Sequence, residues 1–156
     1  MRAAVPGYVI DDDPALVDRD AAWRFLSTEA YWGRWRPRDV LDAQIAAAWR
    51  VVGAYAEDSE GGAVTGGMVG FARAFSDGAA TAYLADVYVL PEHRGRGLAA
   101  TIVRLMVDDG PGAEFRWMLH TADAHGLYAR FGFAPPDPTY LERPPATSRA
   151  ALAASS

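Results

Sequence analysis

With 156 residues, 51% of them hydrophobic, the chain is the size of one domain and is long enough to bury roughly 70% of its unfolded surface in a single core. Its 20 acidic and 15 basic residues give a formal charge of −5, which lacks the basic footprint that nucleic acid requires. Cysteine is absent, which excludes disulfides, thiolate metal sites and a cysteine acyl-enzyme.

The N-terminal "MRAAVPGYVIDDDPALVD" meets an acidic cluster before any apolar run long enough for a signal peptide, and nowhere do about 18 apolar residues follow one another. A soluble cytoplasmic protein without a membrane partner is expected. A short strand is predicted around Tyr8 to Ile10, and the acidic caps of "DDDPALVDRD" open a first helix with Ala22, Phe25, Leu26 and Ala30 on one face. "GRWRP" interrupts it. A second helix resumes with Val40, Leu41, Ile45 and Ala48 at helical spacing, Pro37 being tolerated at its first turn.

From Arg50 the period shortens. "RVVGAYAE", a turn in "DSEGGAVTGG", "MVGFARAF", a turn at "SDG" and "ATAYLADVYVL" read as three consecutive antiparallel strands. "GLAATIVRLMVDD" returns to helix, with Leu98, Ile102, Leu105 and Met106 on one face, and "EFRWMLHT" reads as a strand after it, which makes a β-α-β crossover. A last helix is expected from Ala122 to Phe131, ended by Gly132, followed by one or two proline-bounded strands in "GFAPPDPTYLERPP". The tail 144–156 has too little apolar bulk to order. The predicted fold is therefore α+β, a mixed and mostly antiparallel sheet of six to seven strands with about four helices, over residues 1–143.

"PEHRGRGLAATIV" joins a strand to a helix through a glycine turn. A helix N-terminus offers unpaired N–H groups and about half a positive charge, Gly95 and Gly97 clear the approach, and Arg94 and Arg96 add cations, so the junction reads as an anion site. It is neither a Walker A loop nor a dinucleotide fingerprint.

"VYVLPEHRGRGLAATIV" resembles the acetyl-CoA-binding segment of the GNAT superfamily of N-acetyltransferases, whose pattern Arg/Gln-x-x-Gly-x-Gly/Ala is met by Arg94, Gly97 and Ala99. "TADAHGLYARFGF" is similar to that family's later signature, through Tyr128, Gly132 and Phe133. The order of elements matches the same fold from Tyr8 to about Arg143, with splayed strands around the cofactor. The resemblance implies that acetyl-CoA is the donor, with its pyrophosphate on the N–H groups of Gly95, Arg96, Gly97, Leu98 and Ala99. Its pantetheine arm would lie along Val87, Tyr88 and Val89 like an added strand, and the Val89 N–H would polarise the carbonyl. Thr121 stands where many members carry an asparagine that contacts the cofactor arm, and Asp123 or His125 are the candidates to take over there.

By the same resemblance Tyr128 is the acid that meets the leaving thiolate. Asp86 is the candidate base, an aspartate where a central strand should be apolar, and many family members place a glutamate there. His120, His125 and deprotonation through water are the alternatives. The spacing of His120, Asp123 and His125 suits no standard zinc helix, so no metal is expected. The acceptor would meet "EAYWGRWRPRD", where Tyr31, Trp32 and Trp35 alternate with Arg34, Arg36 and Arg38, a lining suited to a small amine that also carries a carboxylate. Three alternatives stay open: an acetyltransferase of protein or peptide amines, a non-catalytic acyl-CoA-binding or regulatory domain, and a homodimer through exposed aromatic surface.

Overall fold

A computed structural model describes residues 1–57 and 67–146. Of the turn expected across 58–67, residues 58–66 lie outside the described residues, as do residues 147–156 of the tail expected over 144–156. The sheet runs through β1 (Arg2–Val5), β2 (Tyr8–Asp11), β3 (Arg50–Ala56), β4 (Met68–Ser76), β5 (Thr81–Val89) and β6 (Arg116–Met118) in that spatial order. Every pair of neighbours is antiparallel except β5 and β6, which are parallel. That exception follows from the crossover helix between them, because a parallel return cannot be made by a tight turn. The helices are α1 (Arg19–Thr28), α2 (Arg38–Ala46), α3 (Leu98–Val107) and α4 (His125–Ala129). The fold is the expected α+β one, with six strands and four helices.

The helices cover both faces of the sheet. On one, Leu98, Ile102, Leu105 and Met106 of α3 are at most 2% exposed and pack on Ile10, Val52, Ala72 and Leu84. Each such side chain contributes about 1.5–3 kcal/mol on burial. On the other, Phe25, Leu26, Leu41 and Ile45 from α1 and α2 meet Val51, Tyr55, Phe71 and Tyr88. Asp18 caps α1 by accepting from the Ala21 N–H at 2.9 Å.

Three expectations are corrected. The first strand is the second arm of a hairpin, since Pro6 and Gly7, a turn dipeptide with Gly7 at φ 79°, join β1 to β2. The last helix is five residues long, with Gly132 at φ 79° just beyond it as expected. Among the described residues no strand follows Gly132, because Pro135, Pro136, Pro138, Pro144 and Pro145 remove the N–H groups a ladder needs.

The β4–β5 turn is held by Asp77, whose carboxylate accepts from the N–H groups of Ala79, Ala80 and Thr81 at 2.9–3.0 Å. These bonds lower its pKa to about 2. A depressed carboxyl contributes stability above its unfolded value near 4 and loses it as pH falls through its folded value. Urea midpoints of wild type and Asp77→Ala are therefore expected to differ at neutral pH and to converge toward pH ~2.

Candidate active site

The glycine turn after β5 is built by backbone conformation. Gly95 and Gly97 have φ of 75° and 80°, the left-handed region that other residues adopt at a cost, and open space lies where a Cβ would sit on either. Among the described residues no backbone partner takes up the N–H groups of Gly95, Arg96, Gly97, Leu98 and Ala99. Gly95, Gly97, Leu98 and Ala99 edge a cavity of about 190 Å³, which Arg94, His93 and Arg130 also line. Arg130, at the end of α4, was not singled out by the sequence pattern. Arg94 donates its Nε–H to the Val89 carbonyl at 2.9 Å, and the Arg96 guanidinium lies over the Tyr8 ring at 5.8 Å. The donor set of the turn, N–H groups and guanidinium ions without a carboxylate, fits a pyrophosphate.

Along β5 the sheet opens. Its pairing with β6 covers Thr81 to Tyr83 and ends there, while β5 continues to Val89. On its other side the Leu90 N–H bonds the Val69 carbonyl at 2.8 Å, and hydrogen-bonded pairs alternate along an antiparallel ladder. The main chain of Tyr88 therefore faces Phe71 of β4, and that of Val87 and Val89 faces the open side. Tyr88, expected in the open row, instead buries its ring against Phe25, stacked at 4.2 Å.

The strand also changes phase. Leu84 packs toward α3, whereas Asp86 and Tyr88 turn to the α1–α2 face, although residues two apart in a regular strand share one face. The β4–β5 register slips between Phe71 and Arg73, a bulge on β5, and Asp86 sits within it at φ 55°. Aspartate tolerates this region better than most residues, and the strain there costs about 1–3 kcal/mol.

What offsets it is ionic. Arg36 grips Asp86 with two bonds, NH1 to Oδ2 at 2.8 Å and NH2 to Oδ1 at 2.5 Å, and Arg73 adds its Nε–H to Oδ2 at 2.6 Å. All three side chains are at most 9% exposed. Burial alone would raise the Asp86 pKa, but the Arg36 hydrogen bonds and the Arg73 and Arg36 charges outweigh it and hold the carboxyl below its ordinary value. A carboxylate in that grip is a poor proton acceptor. The geometry makes Asp86 an anchor for two arginines, one of which, Arg73, the sequence pattern did not single out although it interrupts the apolar "VGFARAF" as Asp86 interrupts its own strand.

Arg36 and Arg73 belong to the wall of a second cavity, about 530 Å³, at the other end of the open edge. Asp86 engages both guanidinium ions there, and Asp123 stands elsewhere in the same wall. Among the described residues the two terminal nitrogens of Arg73 have no hydrogen-bond partner, and the Nε of Arg36 is buried without one. Tyr31, Trp32 and Trp35 line the same cavity, with Trp35 bonded to the Trp32 carbonyl and the Tyr31 hydroxyl accepting from the Ala122 N–H. Arg34 is exposed, and Arg38 turns outward to Asp20 and Asp42.

Tyr128 of α4 reaches into this cavity, 8% exposed. Burial first, then the nearby Asp123 and Tyr31, push its phenol up to about 12, so it is a neutral hydroxyl at any working pH. Thr121 also lines the cavity, its hydroxyl accepting from the Ala124 N–H at 3.0 Å, and Asp123 lines it too. His125 is exposed and belongs to neither cavity, whereas His120 is in the wall of the larger one. Among the described residues no group of three His, Asp or Glu is placed to hold a metal, and no helix is long and apolar enough to cross a membrane.

The family model described as acetyltransferase (GNAT) family matches residues 19–133, from the start of α1 to just past α4. The chain belongs to the GNAT acetyltransferase family. A Gibberella zeae protein named as a candidate acetyltransferase is 30% identical over 136 residues, covering 79% of this chain and 76% of its own. A crystal structure from Xanthomonas campestris, described as belonging to the GNAT family, superposes with a TM-score of 0.77 at 36% identity, covering 91% of this chain and 96% of its own. A Clostridium acetobutylicum structure described as a predicted acetyltransferase with acetyl-CoA shares the GNAT fold at a TM-score of 0.58 and 16% identity, covering 92% and 96%.

Proposed function

We propose that this GNAT protein moves the acetyl group of acetyl-CoA to the amine of a small acceptor that also carries a carboxylate. The observation that supports this reading best is the layout of β5. Its open edge runs from the five N–H donors of the glycine turn to a cavity holding Tyr128 and the unpaired terminal nitrogens of Arg73.

Acetyl-CoA supplies an activated thioester; the chain supplies binding, orientation and protons. Gly95 to Ala99 bind the pyrophosphate through backbone N–H groups, with Arg130 as an added cation. Val87 and Val89 offer main-chain groups to the pantetheine amides, and the Val89 N–H is the donor for the carbonyl oxygen. Arg73, steadied by Asp86, takes the acceptor carboxylate with its free terminal nitrogens, while Tyr31, Trp32 and Trp35 exclude water.

Tyr128 meets the sulfur. A phenol held near 12 does not surrender its proton readily to a thiolate whose conjugate thiol lies near 8.5. Tyr128 therefore acts first as a hydrogen-bond donor to the departing sulfur and passes a proton only as it takes one from the attacking nitrogen.

Tyr128→Phe is expected to lower kcat about 100-fold while leaving KM for acetyl-CoA within about a factor of two. Release of the CoA thiol, followed with a thiol reagent, measures both, and an unchanged kcat would remove Tyr128 from the chemistry.

A further inference from the structure

With Asp86 held by two arginines, the acceptor still needs a group to take its ammonium proton. On the wall of the larger cavity Tyr83 of β5 and His120, just past β6, stand together, the Tyr83 Oη 2.5 Å from His120 Nδ1. The other ring nitrogen, His120 Nε2, lies 2.8 Å from Oε2 of Glu142, which the C-terminal segment brings back beside the sheet. An ionised carboxylate can only accept, so Nε2 carries the hydrogen. In the neutral imidazole Nδ1 is then the acceptor, and the Tyr83 hydroxyl donates to it. Phe75 stacks on the Tyr83 ring at 4.9 Å and fixes its plane.

We propose that Tyr83, His120 and Glu142 form a proton relay that draws a proton from the acceptor ammonium and delivers it to solvent. The inference rests on the acetyl-transfer reading above. An ammonium N–H bond breaks as its proton joins Tyr83 Oη, while the proton already on Oη moves to His120 Nδ1. The imidazolium so formed keeps its Nε2–H on Glu142. The freed amine lone pair forms the bond to the acetyl carbon, the carbon–sulfur bond breaks, and the second nitrogen proton reaches the sulfur through Tyr128. His120, its side chain 58% exposed, then gives its proton to water. One ammonium ion and one thioester yield one amide, one thiol and one proton.

Tyr83 is the group that touches the acceptor, and Glu142 is a positioning residue that sets the tautomer. Burial first, then the charges of Tyr140 and Glu142, raise the Tyr83 phenol, which keeps it a neutral hydroxyl able to accept and donate at once. The other charged groups facing the relay are Asp86, paired to Arg36 and Arg73, and Asp123 ahead of α4. Tyr31 and Tyr128 complete the titratable groups of that wall.

The test compares Tyr83→Phe, His120→Gln and Glu142→Gln on two acceptors. One is whichever standard L-amino acid the wild type acetylates fastest, and the other is aminooxyacetate, which carries a carboxylate but whose nitrogen is already neutral near pH 7. With the amino acid, Tyr83→Phe and His120→Gln are expected to lose about 100-fold in kcat with KM for acetyl-CoA unchanged. Glu142→Gln is expected to lose about 10-fold in kcat with the amino acid while keeping KM for acetyl-CoA, because Nε2 loses the acceptor that fixes its tautomer. With aminooxyacetate the first two deficits are expected to shrink to within about threefold, since no proton need leave before attack. Equal deficits on both acceptors, or full kcat in Glu142→Gln with the amino acid, would overturn the relay while leaving acetyl transfer standing. Wild-type protein that acetylates no amine would overturn the transfer reading, and the relay with it.

Discussion

Asp86→Ala is expected to destabilise the protein by about 3–5 kcal/mol, a large share of the 5–15 kcal/mol that holds an ordinary domain together. The substitution deletes three charge-assisted hydrogen bonds and leaves Arg36 and Arg73, both nearly sealed from water, facing each other without a counter-ion. Alanine also tolerates the left-handed bulge at φ 55° less well than aspartate does. Urea denaturation at neutral pH measures the loss. The wild-type protein should shed the same stabilisation as the medium is acidified, because a carboxyl with a depressed pKa contributes stability above its unfolded value near 3.9 and loses it below. A variant as stable as wild type would mean that the arginines find other partners and that the anchor is dispensable.

The second large effect is on binding. Gly97→Glu is expected to weaken acetyl-CoA binding at least about 100-fold, equivalent to about 2.8 kcal/mol. The new carboxylate would stand among the five N–H groups proposed to hold the pyrophosphate, and φ of 80° strains any residue with a Cβ. Because a Cβ at Gly97 meets nothing within 4 Å, the fold has no steric reason to fail, so the variant should keep its core and lose its ligand. Gly97→Ala separates the causes, since it carries the strain without the charge. Calorimetric titration with acetyl-CoA gives both affinities, and full affinity in Gly97→Glu would place the pyrophosphate elsewhere.

The glycine turn was legible in the sequence because everything it needs is local: a strand, two glycines with positive φ and a helix start within a few residues. Asp86 was legible as an anomaly, an acid in an apolar strand, but its chemistry was not. Arg36 and Arg73 lie 50 and 13 residues away, and they reach it because a bulge turns β5 onto the α1–α2 face. Periodicity carries no mark of a single inserted residue. Tyr83 and Glu142 escaped notice for a related reason, since the partner of His120 arrives on a proline-rich segment that reads like a strand and forms none. His125, attractive by its position beside Thr121, lies on the exposed face of a helix one turn long. Among the aromatic loop residues, Tyr31, Trp32 and Trp35 line the cavity, and of the three arginines between and after them only Arg36 turns inward.

In the proposed function, acetyl-CoA and a carboxylate-bearing amine meet along the open edge of β5. Incubating the purified protein with acetyl-CoA and, separately, each standard L-amino acid and its decarboxylated amine, with mass detection of the acetylated product, tests it most directly. At least one amino acid is expected to be acetylated with kcat/KM about 10- to 100-fold above that of the matching amine, the worth of one charge-assisted arginine–carboxylate contact. Equal rates for an amino acid and its amine, or product from neither, would contradict it.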